Sequence, residues 1–212
     1  MNAATEKLWL QAGAGRVEAL RDVPAEGPVR GTAVIAHPHP LFGGTMQNKV
    51  VQTLARAFVQ CGWQAVRFNF RGVGASEGVY DEGRGEAADM LAVLDQVAPE
   101  GPLALAGFSF GAFVTSHAVQ ALGPARCPEK LVLVGTAASR FAVAPIAPEL
   151  HERTLVLHGE QDDTVPLASV MDWARPQSLP VTVIPGVEHF FHGQLPLLKS
   201  LTVRHLRAPV QS

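Results

Sequence analysis

Gly107-Phe108-Ser109-Phe110-Gly111 is the stretch whose reading decides the fold. Just upstream, Leu103-Ala104-Leu105-Ala106 is a short apolar run of the kind a buried strand shows. Just downstream, Ala112, Val114, Ala118 and Leu122 recur at roughly helical spacing, so a helix follows with no room for a loop. A Gly-x-Ser-x-Gly between strand and helix reads as a nucleophile elbow. The turn is tight enough to strain the serine backbone, and the flanking glycines let the neighbouring elements approach. The hydroxyl of Ser109 then stands at the top of a sheet, with the N–H of Phe110 directed to the same point. The five residues alone are a weak signal, because Gly and Ser are common in ordinary turns; their setting supplies the weight.

Working outward, the chain alternates strand-like and helix-like segments. The opening, around Gly13-Ala14-Gly15, alternates polar and apolar residues on both sides and reads as an antiparallel hairpin over 7–11 and 16–21. Thr32-Ala33-Val34-Ile35-Ala36 is a continuous apolar run suited to a strand buried on both faces. A specially shaped loop follows, His37-Pro38-His39-Pro40-Leu41-Phe42-Gly43-Gly44, because its prolines and glycines forbid regular structure. Thr45 is placed to cap a helix whose apolar stripe is Val50, Val51, Leu54, Ala55, Phe58 and Val59, with Gly62 ending it. Strands are expected over 65–70, 131–134, 154–157 and 181–184, and helices over 85–98, 195–206 and from Pro166 to Trp173, the last beginning with its proline. Helical crossovers imply a mostly parallel sheet covered on both faces, an α/β fold, and the length fits one domain over residues 1–212.

Composition narrows the function. Charged residues are 17% of the chain and the formal net charge is −2, so no basic excess supports a nucleic-acid or anionic-membrane partner. No apolar run approaches the roughly 18 residues a membrane span requires, and residues 1–7 carry no signal-peptide pattern. The two cysteines, Cys61 and Cys127, read as free thiols in a reducing cytoplasm.

A serine hydroxyl needs a base within hydrogen-bond reach and a group to orient that base. In a sheet of this type, ligands bind beyond the carboxyl ends of the strands. After the strand ending at Leu157 come Asp162 and Asp163; after the strand ending at Ile184 come His189 and His192. A carboxylate and an imidazole thus follow strand ends in the order Ser, Asp, His expected with this elbow. Of the histidines, His189 is the base; His192 belongs to the rim, His117 to the packing of the elbow helix, and His205 to the surface. The oxyanion of an acyl-transfer intermediate needs preset donors. One is the backbone N–H of Phe110, and the other comes from the loop after the 32–36 strand. Pro38 and Pro40 lack an N–H, which leaves His39 or Leu41. His37 reads as a clamp between that loop and the neighbouring Arg71 loop. No third ligand of suitable spacing joins His37 and His39, so no metal or cofactor is expected.

At this point the chain resembles a family. It is similar to members of the alpha/beta-hydrolase superfamily over about residues 7–206, and more narrowly to small lidless bacterial serine hydrolases carrying the loop HPHPLFGGTMxNKVV, here His37 to Val51. The segment FNFRGVGxSEG at 68–78, GFSFGA at the elbow and HFFHG at 189–193 match as well. The resemblance implies the alpha/beta-hydrolase fold without a lid domain, and a serine hydrolase activity. The superfamily motif HGxxDxxVP aligns with His158 to Pro166 and so places the acid at Asp162, with adjacent Asp163 as its competitor. The stretch from Val134 to Thr154 is too short for a lid, which implies an open, shallow site for a small, short-chain ester. Phe42, Phe108, Phe190 and Phe191 are candidates to line it, and Phe110 a further one, with core packing as the competing role for Phe108 and Phe190. Thioesterase, peptidase or acyltransferase chemistry with the same residues, and a non-catalytic scaffold of the same fold, are the alternatives. Oligomeric state is not readable from the sequence.

Overall fold

The computed structural model describes residues 4–209. Its strands are β1 (Ala4–Ala12), β2 (Gly15–Val23), β3 (Thr32–Ala36), β4 (Gln64–Phe68), β5 (Leu103–Phe108), β6 (Lys130–Val134), β7 (Thr154–Gly159) and β8 (Val181–Ile184). They form one sheet in the order β1-β2-β4-β3-β5-β6-β7-β8. β1 and β2 make an antiparallel hairpin and β2 joins β4 antiparallel, while every other pairing is parallel. The elbow strand β5 is therefore central, with β3 and β6 as its neighbours.

Helices cover both faces because the strands carry apolar side chains on both. On one side α1 (Lys49–Gln60) and α5 (Leu195–Arg207) bury Val50, Leu54, Phe58, Leu198 and Leu206 against Ile35, Ala104 and Val132. On the other, α2 (Arg84–Val97), α3 (Phe110–Leu122) and α4 (Leu167–Ala174) bury Met90, Leu94, Val114, Ala118 and Val170 against Val34, Leu105 and Leu133. Among the described residues no helix is long and apolar enough to cross a membrane.

Several boundaries differ from those expected, each for a local reason. Asn48, not Thr45, caps α1, accepting from Val50 N at 2.9 Å. Asn69 Oδ1 holds the N–H of Met46 at 2.9 Å, which pins the preceding turn to the end of β4 and delays the helix. Pro166 has an extended ψ of 134° and caps α4 from outside rather than opening it. β4 ends at Phe68: the N–H of Asn69 still reaches Glu18 O on β2 at 2.8 Å, but that of Phe70 leaves the sheet for His37 Nε2 at 3.0 Å.

Two basic side chains, on β4 and β6, are buried. Arg67 on β4 makes a forked contact with Asp22 on β2, through Nε at 3.0 Å and Nη2 at 2.8 Å, and donates to Met46 O. Removing one partner of such a pair strands the other, which typically costs about 3–5 kcal/mol. Lys130 at the start of β6 is buried and its ammonium donates to His205 O at 3.0 Å and Ala208 O at 2.8 Å. Those carbonyls end α5, where a cation meets the negative end of the helix. His205, expected at the surface, is half-buried there, with its Nε2 on Arg153 O at 3.0 Å, and burial pushes its pKa down to about 4.

Candidate active site

Ser109 lies between β5 and α3 with φ 57° and ψ −117°, a left-handed φ that a residue with a side chain adopts only under strain. Its own N–H donates to Val134 O at 2.8 Å, which fixes the turn to β6. The flanking glycines are required by contact rather than by their own torsions. A β-carbon at Gly107 would overlap the carbonyl of Gly111, and one at Gly111 would overlap the carbonyls of Ala36 and His37.

The loops after β7 and β8 bring the other two groups to this serine. His189 Nε2 is 3.0 Å from Ser109 Oγ, and His189 Nδ1 is 2.6 Å from Asp162 Oδ2. With Nδ1–H donating to the carboxylate, Nε2 is the lone-pair nitrogen and accepts from the serine hydroxyl. Asp162 Oδ1 accepts from Thr164 N at 3.0 Å and Val165 N at 2.7 Å, so the carboxylate is locked on both oxygens. Asp163 is exposed and faces only Thr164. The pairing is thus made with Asp162. The imidazole rests on the ring of Phe108 at 4.9 Å, and Gly135 leaves space for it, since a β-carbon there would lie 3.1 Å from His189 Cε1. Such an arrangement can move a proton from serine to imidazole while the carboxylate steadies the resulting cation.

His158, inside the acid motif, is a participant the residue pattern did not single out. It is fully buried, its Nε2–H donates to Val165 O at 2.9 Å, and it stands 3.6 Å from Asp162 Oδ2. Burial lowers its pKa against the opposing pull of Asp162, which keeps the ring neutral. It thereby fastens the same loop whose amides hold the acid. His192 is exposed and paired with Glu188 at 3.1 Å, on the rim. His117 lies edge-on to Phe113 in α3, with its Nε2 on Ala142 O at 2.8 Å.

The loop after β3 is built by its two histidines. His37 is buried; its Nδ1–H donates to Pro38 O at 2.6 Å and its Nε2 accepts from Phe70 N, which clamps this loop to the one after β4. Burial pushes its pKa down to about 3. His39 Nδ1 accepts from Leu41 N at 3.2 Å, so the Leu41 N–H is already spent within the loop. The N–H groups of His39 and Phe110 have no acceptor among the described residues. Of the two loop donors left open by the sequence, only that of His39 is uncommitted.

The candidate lining residues divide. Phe42 and Phe190 are 74% and 43% exposed, whereas Phe108 and Phe191 are fully buried. Phe108 is the platform for His189. Phe191 turns inward at φ 55° and packs with Leu198 and Leu206 in the α1–α5 layer, so neither lines an open site. Phe110 is buried in an aromatic group with His39 (4.9 Å), Phe141 (5.1 Å) and Tyr80 (5.8 Å). Tyr80 and Phe141 carried no local signal; both arrive from loops after β4 and β6. Ser109 is itself only 7% exposed, screened by its neighbours although the connection over residues 135–153 holds one short 3-10 helix and no lid domain. Two surface cavities of about 840 and 620 Å³ lie elsewhere, one beside Arg56 and Lys199, the other beside Cys127 and Leu150.

A family model described as serine aminopeptidase, S33 (Hydrolase_4) matches residues 27–145, a span that includes β3, the elbow and β6. The chain belongs to this alpha/beta-hydrolase family. It is 33% identical to a protein of Xanthomonas campestris described as an a/b serine hydrolase without lid, covering 100% of this chain and 99% of that one at a TM-score of 0.87. An alpha-beta serine hydrolase homologue from Coxiella burnetii is 38% identical, with 95% and 97% coverage and a TM-score of 0.81. An uncharacterized protein of Rickettsia prowazekii is 31% identical over 208 residues, 87% of this chain and 82% of its own. The protein is a hydrolase of this lidless kind.

Proposed function

We propose that the protein is a carboxylesterase-like serine hydrolase that cleaves short-chain esters through an acyl-enzyme. The observation that carries this reading is the hydrogen-bonded series Ser109–His189–Asp162, at 3.0 and 2.6 Å, beneath a strained elbow. His189 takes the proton of Ser109 as its oxygen attacks the ester carbonyl. The N–H groups of Phe110 and His39 receive the oxyanion, and His189 returns the proton to the leaving alcohol. Water then attacks the acyl-serine, with His189 again as base and Asp162 stabilising the imidazolium throughout. No metal or cofactor enters the scheme. Short acyl chains follow from a setting with no lid domain to cover a long one. Unpaired Cys61 and Cys127 support a cytoplasmic setting.

Turnover of p-nitrophenyl butyrate tests the reading. Ser109→Ala should lower kcat by about 10⁴-fold or more, and a fluorophosphonate probe should label the wild type and not this variant. Undiminished turnover in Ser109→Ala would sink the proposal, and a chain-length series peaking at long acyl groups would remove its short-chain part. The family description favours a second reading, hydrolysis of an N-terminal amide bond. Faster Ser109-dependent turnover of aminoacyl p-nitroanilides than of p-nitrophenyl esters would select it.

A further inference from the structure

The loop after β3 fixes the direction of a hydrogen bond that the proposed mechanism does not use. Leu41 N–H donates to His39 Nδ1, so that nitrogen is an acceptor and the single proton of the neutral ring is on Nε2. A protonated ring, or the tautomer with its proton on Nδ1, would set two donors against each other there. Burial and the charge of Arg140 lower the pKa of His39, in keeping with the neutral ring. His39 Nε2 lies 3.2 Å from Tyr80 Oη. Tyr80 therefore accepts from His39, and its own phenolic proton points to another partner.

Among the described residues that proton has no acceptor. The Glu86 carboxylate receives the N–H groups of Asp81 at 2.9 Å and Gly83 at 2.8 Å and makes no hydrogen bond to Tyr80. Tyr80 is half-buried, on the loop beyond the carboxyl end of β4, and its ring centre is 5.8 Å from that of Phe110, the residue after Ser109. Phe42, Phe110 and Phe141 pack around the same imidazole at 4.7–5.8 Å, and the guanidinium of Arg140 lies 5.9 Å from the centre of the Phe42 ring. An uncommitted hydroxyl donor in the aromatic group around the residue that follows Ser109 can discriminate between ligands that offer an acceptor and those that do not.

We propose that Tyr80, oriented by His39, is a specificity-determining residue whose hydroxyl donates to an acceptor oxygen on the acyl chain of the substrate. The preferred substrates are short esters, apolar except for one ether, keto or hydroxyl oxygen beyond the α-carbon. This inference rests on the ester-hydrolase reading above.

Paired p-nitrophenyl esters that differ by one oxygen for one methylene test it: methoxyacetate against butyrate, and 3-methoxypropionate against pentanoate. Intrinsic reactivity differs within each pair but is the same for every enzyme variant, so the ratio of kcat/KM values is compared between wild type and Tyr80→Phe. In at least one pair the ratio should fall by about 3- to 10-fold, the worth of one neutral hydrogen bond. A change of less than twofold in both pairs overturns the proposal, because a purely structural role for Tyr80 would depress both members equally. Ser109→Ala is measured alongside. Its inactivity with an unchanged Tyr80→Phe ratio overturns this inference alone, whereas activity surviving in Ser109→Ala overturns the ester-hydrolase reading and this inference together.

Discussion

His37 makes a quantitative test of how the loop after β3 is held. Both of its ring nitrogens are committed, one donating to Pro38 O and the other accepting from Phe70 N, and its pKa in the folded chain is about 3. In the unfolded chain it titrates near 6.5. Below that value the unfolded state takes up a proton that the folded state refuses, so stability is complete above about pH 6.5 and declines as the pH falls toward 3. Between pH 7 and pH 5 the linkage amounts to about 2 kcal/mol for this one residue, given its folded pKa of about 3. The assay is urea unfolding at the two pH values, followed by the fluorescence of buried Trp63. His37→Gln keeps polar atoms at the position but does not titrate. It should be less stable than wild type at pH 7, yet its loss between pH 7 and pH 5 should be smaller by about 2 kcal/mol. His205, with its own pKa lowered to about 4, is present in both proteins and cancels. An equal loss in the two proteins would refute the argument that His37 is held neutral by burial.

Asp162→Asn should cost about 10³–10⁴ in kcat by letting the imidazole adopt the wrong tautomer, while Asp163→Asn should leave ester turnover nearly unchanged. The reverse order would reassign the acid. Gly111→Ala should destabilise by about 1–3 kcal/mol, because the Ala36 and His37 carbonyls it would strike are fixed in the sheet and loop. Gly13→Ala, with nothing within 4 Å of the added carbon, should be nearly neutral. Equal melting temperatures for these two variants would count against the close approach at the elbow.

The sheet and the meeting of Ser109 with His189 were legible because their signals are local, whereas the choice of Asp162 over Asp163 needed the family resemblance. Apolar runs such as Thr32–Ala36 mark buried strands, and Gly-x-Ser-x-Gly needs only its flanks to be read. The failures came where a distant partner decides. Nothing near Thr45 reveals that Asn69 will pin Met46, and nothing near Lys130 reveals that two carbonyls of the final helical turn will receive its ammonium. Phe191 illustrates a different limit. Of the adjacent aromatics Phe190 and Phe191, the second lies inward because its backbone adopts φ 55°, a region sequence gives little reason to expect for phenylalanine. Tyr80 has no local signal either, because its contact with His39 spans 41 residues of chain.

The position of β8 has a consequence for how the protein loses activity. Ser109 is anchored at the middle of the sheet, but His189 follows a four-residue strand that, among the described residues, pairs only with β7 and leaves its central residues exposed. Such borders open in excursions that cost far less than global unfolding. Each excursion would draw the imidazole away from a serine that has not moved. Mild denaturant should therefore switch the protein off before Trp63 reports any melting, and the inactive chain should recover as soon as the border strand closes again.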